Sequence, residues 1–300
     1  MSNCKILAFS LIGCWGLLGT SVQAVPPVTN GLYLWLTADS LVGYTNHQLV
    51  ATWNDSSGNG HNGSNTGGGQ APWFLTNAVG GKSSLHFDGF NGDGTGDRFE
   101  FTHVFWSQTP GYGGGITYIA AFRSTSTRTT ESASYNVPDT LIGDNDGNAN
   151  FLNAFGLTNG YPVYTEYSPT TGAGWNSGPP VGTKFVSDNQ AHIIDATDSS
   201  GAQNLYADGK SQGSSANAWY SIGPGFSRVG GGAASFGANG DFFSGDVAEI
   251  LIYNRELSPS DRLWVDNYLA DKYSIDGVPE PSGALLLALG GLLLCRKRSR

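Results

Sequence analysis

The sequence predicts an all-β fold, a sandwich or jelly roll closed by one amphipathic helix, and three observations carry the prediction. Glycine is abundant, with 44 residues in 300, while charged residues make up only 13%, a composition that argues against a helical bundle. Short alternating runs recur between Gly, Asn, Asp and Ser clusters, the pattern of half-buried strands. Helical periodicity is missing until residue 258.

The strand candidates run in order from Gly31–Thr37 through Ser84–Asp88, Arg98–Phe101, Ile116–Phe122, Phe151–Leu157, Ala191–Ala196 and Asn204–Ala207 to Asp246–Tyr253. Asp208-Gly209 follows the seventh and reads as a two-residue hairpin turn. At Ser258-Pro-Ser-Asp261, serine stands at the N-cap, proline at the first helical position and aspartate at the third. Leu263, Trp264, Val265, Tyr268 and Leu269 then recur at spacings of three and four, so this face is expected to pack on the sandwich and Trp264 to be core.

Both ends differ from the middle. Residues 1–24 carry one lysine, an apolar stretch and a Val22-Gln23-Ala24 ending, and are expected to be a signal peptide cleaved between Ala24 and Val25. Leu11-Ile12-Gly13-Cys14 offers a competing lipoprotein reading. The cysteines are Cys4, Cys14 and Cys295, so residues 25–277 contain none and no disulfide holds that domain. Ten of the 15 basic and 23 of the 24 acidic residues fall there, a formal charge of −13, which disfavours nucleic acid and anionic lipid as partners.

Residues 278–300 form a third segment. The motif at 278–282 is followed by a 13-residue apolar stretch at 283–295, about 20 Å long as a helix, against roughly 30 Å of hydrocarbon in a bilayer. The basic tail at 296–300 is placed to stay cytoplasmic. Pro279-Glu280-Pro281, the hydrophobic helix and Arg296, Lys297 and Arg298 together resemble the PEP-CTERM sorting signal. The resemblance implies an exported bacterial protein, held transiently in the inner membrane and processed by an exosortase.

The middle also resembles a family. Gly31-Leu-Tyr-Leu-Trp-Leu-Thr-Ala-Asp-Ser-Leu41, Val50-Ala-Thr-Trp-Asn-Asp-Ser-Ser-Gly-Asn-Gly60 and Leu85-His-Phe-Asp-Gly89 are similar to the opening of laminin-G-like, concanavalin A-like domains. Asn204-Leu-Tyr-Ala-Asp-Gly-Lys210, Arg228-Val-Gly-Gly-Gly232 and the run from Phe243 to Ser258 are similar to their later motifs. The resemblance spans about Gly31 to Tyr273 and implies a concanavalin A-like jelly roll. It departs from the family at Trp106–Tyr135 and Tyr161–Thr183.

Catalysis has no positive signature. No glutamate has an acid two or four residues on, where a strand would place both on one face, and the five histidines show no nucleophile or metalloprotease spacing. Asp144, Asp146 and Asn148 alternate like a calcium loop, but Ala149 and Phe155 stand where an EF-hand needs glycine and glutamate. A plain polar turn is the alternative. Trp35 and Trp53 are expected in the core. Trp106, Trp175 and Trp219 are candidates for either loop anchors or a surface that stacks on sugar rings. Glu249 is expected to bond backbone or support a loop. The expected function is non-catalytic carbohydrate binding at the envelope or in exopolysaccharide. A structural adhesin and a glycoside hydrolase are the rivals.

Overall fold

A computed structural model describes residues 24–65, 71–89, 96–102, 115–128, 139–145, 151–166, 181–199, 202–215, 226–231 and 242–281. The strands in chain order are β1 (Leu32–Thr37), β2 (Gln48–Leu49), β3 (Thr52–Trp53), β4 (Gly63–Ser64), β5 (Trp73–Val79), β6 (Lys82–Asp88), β7 (Phe99–Phe101) and β8 (Ile116–Arg123). They continue as β9 (Asp139–Asn145), β10 (Phe151–Thr158), β11 (Tyr161–Glu166), β12 (Ala191–Ser199), β13 (Ala202–Ala207), β14 (Lys210–Ser215), β15 (Phe226–Val229) and β16 (Ser244–Tyr253). The helix α1 spans Pro259–Tyr273.

Among the described residues these strands form two antiparallel sheets. One has nine strands, ordered β14-β13-β12-β8-β16-β6-β5-β2 with β1 also on β16; the other has seven, ordered β11-β10-β9-β15-β7-β4-β3. β6 pairs with the first part of β16, from Ser244 to Val247, and β1 with its later part, from Glu249 to Tyr253. Every strand candidate from the sequence lies within an observed strand or overlaps one at its ends. The Asp208-Gly209 turn is also present, with φ of 46° and 73°.

The alternation along β8 explains why this strand is central. Ile116, Tyr118, Ala120 and Phe122 enter the core between the sheets, and Ile119 and Ala121 enter a second core beneath α1. With both faces covered, the strand reads as a continuous apolar run. Trp53, Phe99, Phe87, Phe243 and Phe122 form a chain of tilted and edge-to-face rings 5.8–6.3 Å apart across the inter-sheet core. Trp35 and Trp53 are buried, as expected.

A β-bulge in β16 fixes the relation between sheet and helix. Val247 and Ile250 face the inter-sheet core while Ala248 lies in the helix-side core, and the pairing with β8 steps from Val247↔Phe122 to Glu249↔Ala121. The extra residue puts both Ala248 and Glu249 on the outer face. Glu249 is fully buried there. Its Oε1 accepts from Trp35 Nε1 at 2.6 Å, and its Oε2 accepts from Lys272 Nζ at 2.7 Å and the Tyr273 hydroxyl at 2.8 Å. The Tyr268 hydroxyl lies 3.0 Å from Oε1. Glu249 therefore clamps helix side chains, where the sequence pointed to backbone or a loop.

The helix begins as expected, with Ser258 Oγ accepting from Asp261 N. Its buried face is different. Arg262, Val265, Asp266, Leu269, Ala270 and Tyr273 face the sheet, while Trp264 is 43% exposed. The stripe rotated because an ion pair is part of it. Arg262 Nη1 donates to Asp195 at 2.8 Å and Asp266 at 2.5 Å, and its guanidinium stacks 3.7 Å over the Tyr206 ring. Trp264, two positions from both Arg262 and Asp266, is left on the far side.

Candidate functional site

The helix covers only part of the outer face of the nine-stranded sheet. Beside it, cross-strand pairing lines up one residue from each of five strands. Trp73 on β5 pairs with His86 on β6, His86 with Asp246 on β16, Asp246 with Arg123 on β8, and Arg123 with Ala191 on β12. The Trp73 and His86 rings stack with centroids 5.6 Å apart and planes 17° from parallel. His86 Nδ1 lies 2.7 Å from Asp246 Oδ1, and Arg123 Nε and Nη2 donate to Asp246 Oδ2 at 2.9 and 2.5 Å. Trp73, His86 and Arg123 are half-buried and Asp246 is buried beneath them.

Arg123 also borders a cleft of about 350 Å³ whose wall includes Lys184, Asp188, His192, Asp208 and Asp276. The tip of the β5–β6 hairpin and the C-terminal end of α1 close one side of it. His192 Nδ1 lies 2.9 Å from Asp208 Oδ2 and its Nε2 lies 3.0 Å from Asp188 Oδ1. Lys184 Nζ pairs with the same Asp208, which also accepts from the Ile193 amide at 2.8 Å. The row and the cleft form one polar surface with an aromatic plane at one end.

The charges there support one another. The Asp246 hydrogen bond raises the His86 imidazole above its ordinary value, in spite of burial. Burial works against a charged His192, but the hydrogen bonds and charges of Asp208 and Asp188 outweigh it and raise that pKa too. Burial pushes Asp246 and Asp208 upward, but their histidine partners, with Arg123 and Lys184 respectively, hold both below the usual carboxylate range. Both oxygens of Asp246 and both ring nitrogens of His192 are engaged, so these groups form a pre-ordered hydrogen-bonding platform. The Asp195–Asp266 pair is buried with Arg262 under the helix.

The structure describes only some of the residues singled out from sequence. Trp106, Trp175, Trp219, Asp146, Asn148, Arg296, Lys297 and Arg298 lie outside the described residues. Asp144 belongs to β9, paired with Asn153 and Ser227, and not to a turn. Ala24 and Val25 are exposed, and the Tyr268 hydroxyl lies 3.1 Å from the Ala24 carbonyl. Asn267 Nδ2 donates to the Pro279 carbonyl at 2.9 Å, Glu280 is exposed and Pro281 is buried. The Trp73–His86–Asp246–Arg123 row was missed because its members are up to 173 positions apart. The only local signal was that each sits on an outward position of its strand. Residues 1–23, the body of the expected signal peptide, and the apolar stretch at 283–295 lie outside the described residues, among which no helix is long and apolar enough to cross a membrane.

No protein-family model matches the chain, nor does any curated protein sequence. Solved structures do share its fold. The binding domain of Paraclostridial Mosquitocidal Protein 1 is similar over 81% of this chain and 53% of its own, with 14% identity and a TM-score of 0.52. The binding domain of Botulinum Neurotoxin DC, in complex with SialylT, is similar over 81% of this chain and 52% of its own, with 14% identity and a TM-score of 0.51. This chain thus spans about half the length of those two. Domain 4 of AbnA, an extracellular arabinanase of Geobacillus stearothermophilus in complex with arabinotriose, is covered over its whole length by 75% of this chain, with 15% identity and a TM-score of 0.50. At these identities the likeness shows the fold, a two-sheet antiparallel β-sandwich with one short helix.

Proposed function

We propose that this chain is an exported bacterial protein of the envelope or exopolysaccharide whose β-sandwich binds carbohydrate without transforming it. The carrying observation is the Trp73–His86–Asp246–Arg123 row, an aromatic plane continued by fixed polar groups into a cleft. Sugar rings stack their apolar faces on indoles and offer hydroxyls to just such donors and acceptors. Solved domains of the same fold include one in complex with arabinotriose, which supports the reading by analogy of fold alone. Export and exosortase processing rest on the two ends of the sequence. Both junctions leave the domain beside α1, Ala24 at Tyr268 and Pro279 at Asn267, an arrangement compatible with trimming at either end.

Residues 25–281 screened on a polysaccharide array, with and without calcium, test the binding. We expect a ligand whose affinity drops at least about tenfold in Trp73→Ala, the loss of one stacking contact of about 1.4 kcal/mol. Absence of any ligand, or one indifferent to Trp73 and Arg123, removes the lectin reading and leaves a structural adhesin. Replacing Pro279, Glu280 and Pro281 with alanine is expected to leave the chain membrane-associated; unchanged release counts against the sorting signal.

A further inference from the structure

Both junctions of the sandwich leave it from the outer face of α1, on either side of Trp264. At about 100° per residue along a helix, Leu263 and Asn267 lie on one flank of Trp264 and Tyr268 lies on the other. The first flank holds the outgoing segment. Asn267 Nδ2 donates to the Pro279 carbonyl at 2.9 Å. A Cβ at Gly209, in the β13–β14 turn, would stand 2.7 Å from Pro279 Cδ, 3.1 Å from Val278 Cγ1 and 3.4 Å from Leu263 Cδ2, so glycine lets the segment lie this close. Pro281, at the end of this strap, is buried. The second flank holds the incoming segment, with the Tyr268 hydroxyl 3.1 Å from the Ala24 carbonyl. Trp264 is left 43% exposed between the two, and Val25, at the second junction, is 61% exposed.

Given the reading above that the apolar stretches near both ends enter the inner membrane, we propose that this face of α1 rests on the phospholipid surface, with the Trp264 indole among the headgroups. Ser282 alone separates Pro281 from the stretch at 283–295, a reach of about 7 Å. Because Pro281 is packed on the domain, the sandwich is held at the bilayer by a docked strap and not by a loose linker. The leader, before its removal, joins at the other flank of the same helix. Two membrane-directed segments on either side of one helix turn the face between them towards the lipid. Tryptophan suits that depth, since its ring is apolar and its N–H can donate to headgroup oxygens. Asp271 and Glu280 are exposed beside it, so the surface fits zwitterionic headgroups and disfavours anionic ones.

The test reconstitutes the full chain in vesicles of phosphatidylcholine and phosphatidylethanolamine, floats them on a density gradient, and compares tryptophan fluorescence with and without brominated phosphatidylcholine. Trp264→Phe isolates the Trp264 emission by difference, and the exposure of the indole lets this variant keep the fold. Brominated lipid is expected to quench that difference by at least about half, as for an indole at headgroup level. Asn267→Ala, which frees the Pro279 carbonyl, is expected to lessen the quenching. A chain that does not float overturns the membrane reading of its ends, and this proposal with it. A chain that floats with Trp264 unquenched overturns this proposal alone; an indole that is then also shielded from iodide assigns the face to a second copy of the chain. Quenching unchanged in Asn267→Ala overturns the strap as the orienting contact.

Discussion

Glu249→Ala is expected to be among the most destabilising single changes in the sandwich. The carboxylate is fully buried at the β16 bulge and accepts from Trp35 Nε1, Tyr273 and Lys272, with Tyr268 at 3.0 Å. Removing it leaves Trp35 Nε1 and the Tyr273 hydroxyl as buried donors without an acceptor, each costing about 1–3 kcal/mol. Lys272 keeps Asp39 at 3.0 Å, so its loss adds little. The total is about 4 kcal/mol, which at about 2–4 °C per kcal/mol for a domain of this size lowers Tm by about 8–16 °C. Glu249→Gln retains an acceptor for Trp35 and is expected to lose less. Urea titration of both variants at pH 7 checks this by tryptophan fluorescence. A cost below about 1 kcal/mol for alanine would refute the claim that one side chain ties β1, β16 and α1 together.

Trp264→Ser is expected to change stability by less than about 0.5 kcal/mol, because the indole is 43% exposed; a urea midpoint well below the parent's would put it back in the core. Gly80→Ala is expected to cost about 3 kcal/mol, since φ is +54° and a Cβ would lie 1.9 Å from the Tyr273 carbonyl oxygen; parent-like melting would refute that contact. Stability should also fall from pH 5 to pH 8. His192 has a folded pKa above its unfolded value of about 6.5, so its contribution is full below that pH and is lost as pH rises through the folded value. Asp195 and Asp139 are each pushed up to about 6, chiefly by burial, so the native advantage in holding those protons disappears between about pH 4 and pH 6. Asp208 and Asp246, held low, act oppositely and weaken the fold only below about pH 4. Urea midpoints across this range test the sum, and a midpoint higher at pH 8 than at pH 5 contradicts it.

Strands were legible wherever apolar residues alternate, as in β1, β8 and β16, because period two is a property of consecutive residues. β9, Asp139–Asn145, was not, since Asp-Thr-Leu-Ile-Gly-Asp-Asn ends in turn formers and becomes a strand by pairing with β10 and β15. The helix was legible at its cap, which is local chemistry, but not on its buried face. Hydrophobic spacing favoured Trp264, and the sheet instead supplied Asp195 as a partner that lets Arg262 go inside.

The candidate site shows the same division more sharply. Sequence determined the all-β class, the two exceptional ends, the lack of disulfides in the middle and the buried Trp35 and Trp53, all of which follow from composition or near-neighbour pattern. The tertiary structure decided what Glu249 binds, that Trp73 stands half-buried on the outer face of the sheet, and that Trp73, His86, Asp246 and Arg123 share one row. Strand order and register brought them together, and register is set by which faces are buried against which partners, a property of the whole sandwich that no single stretch of chain carries.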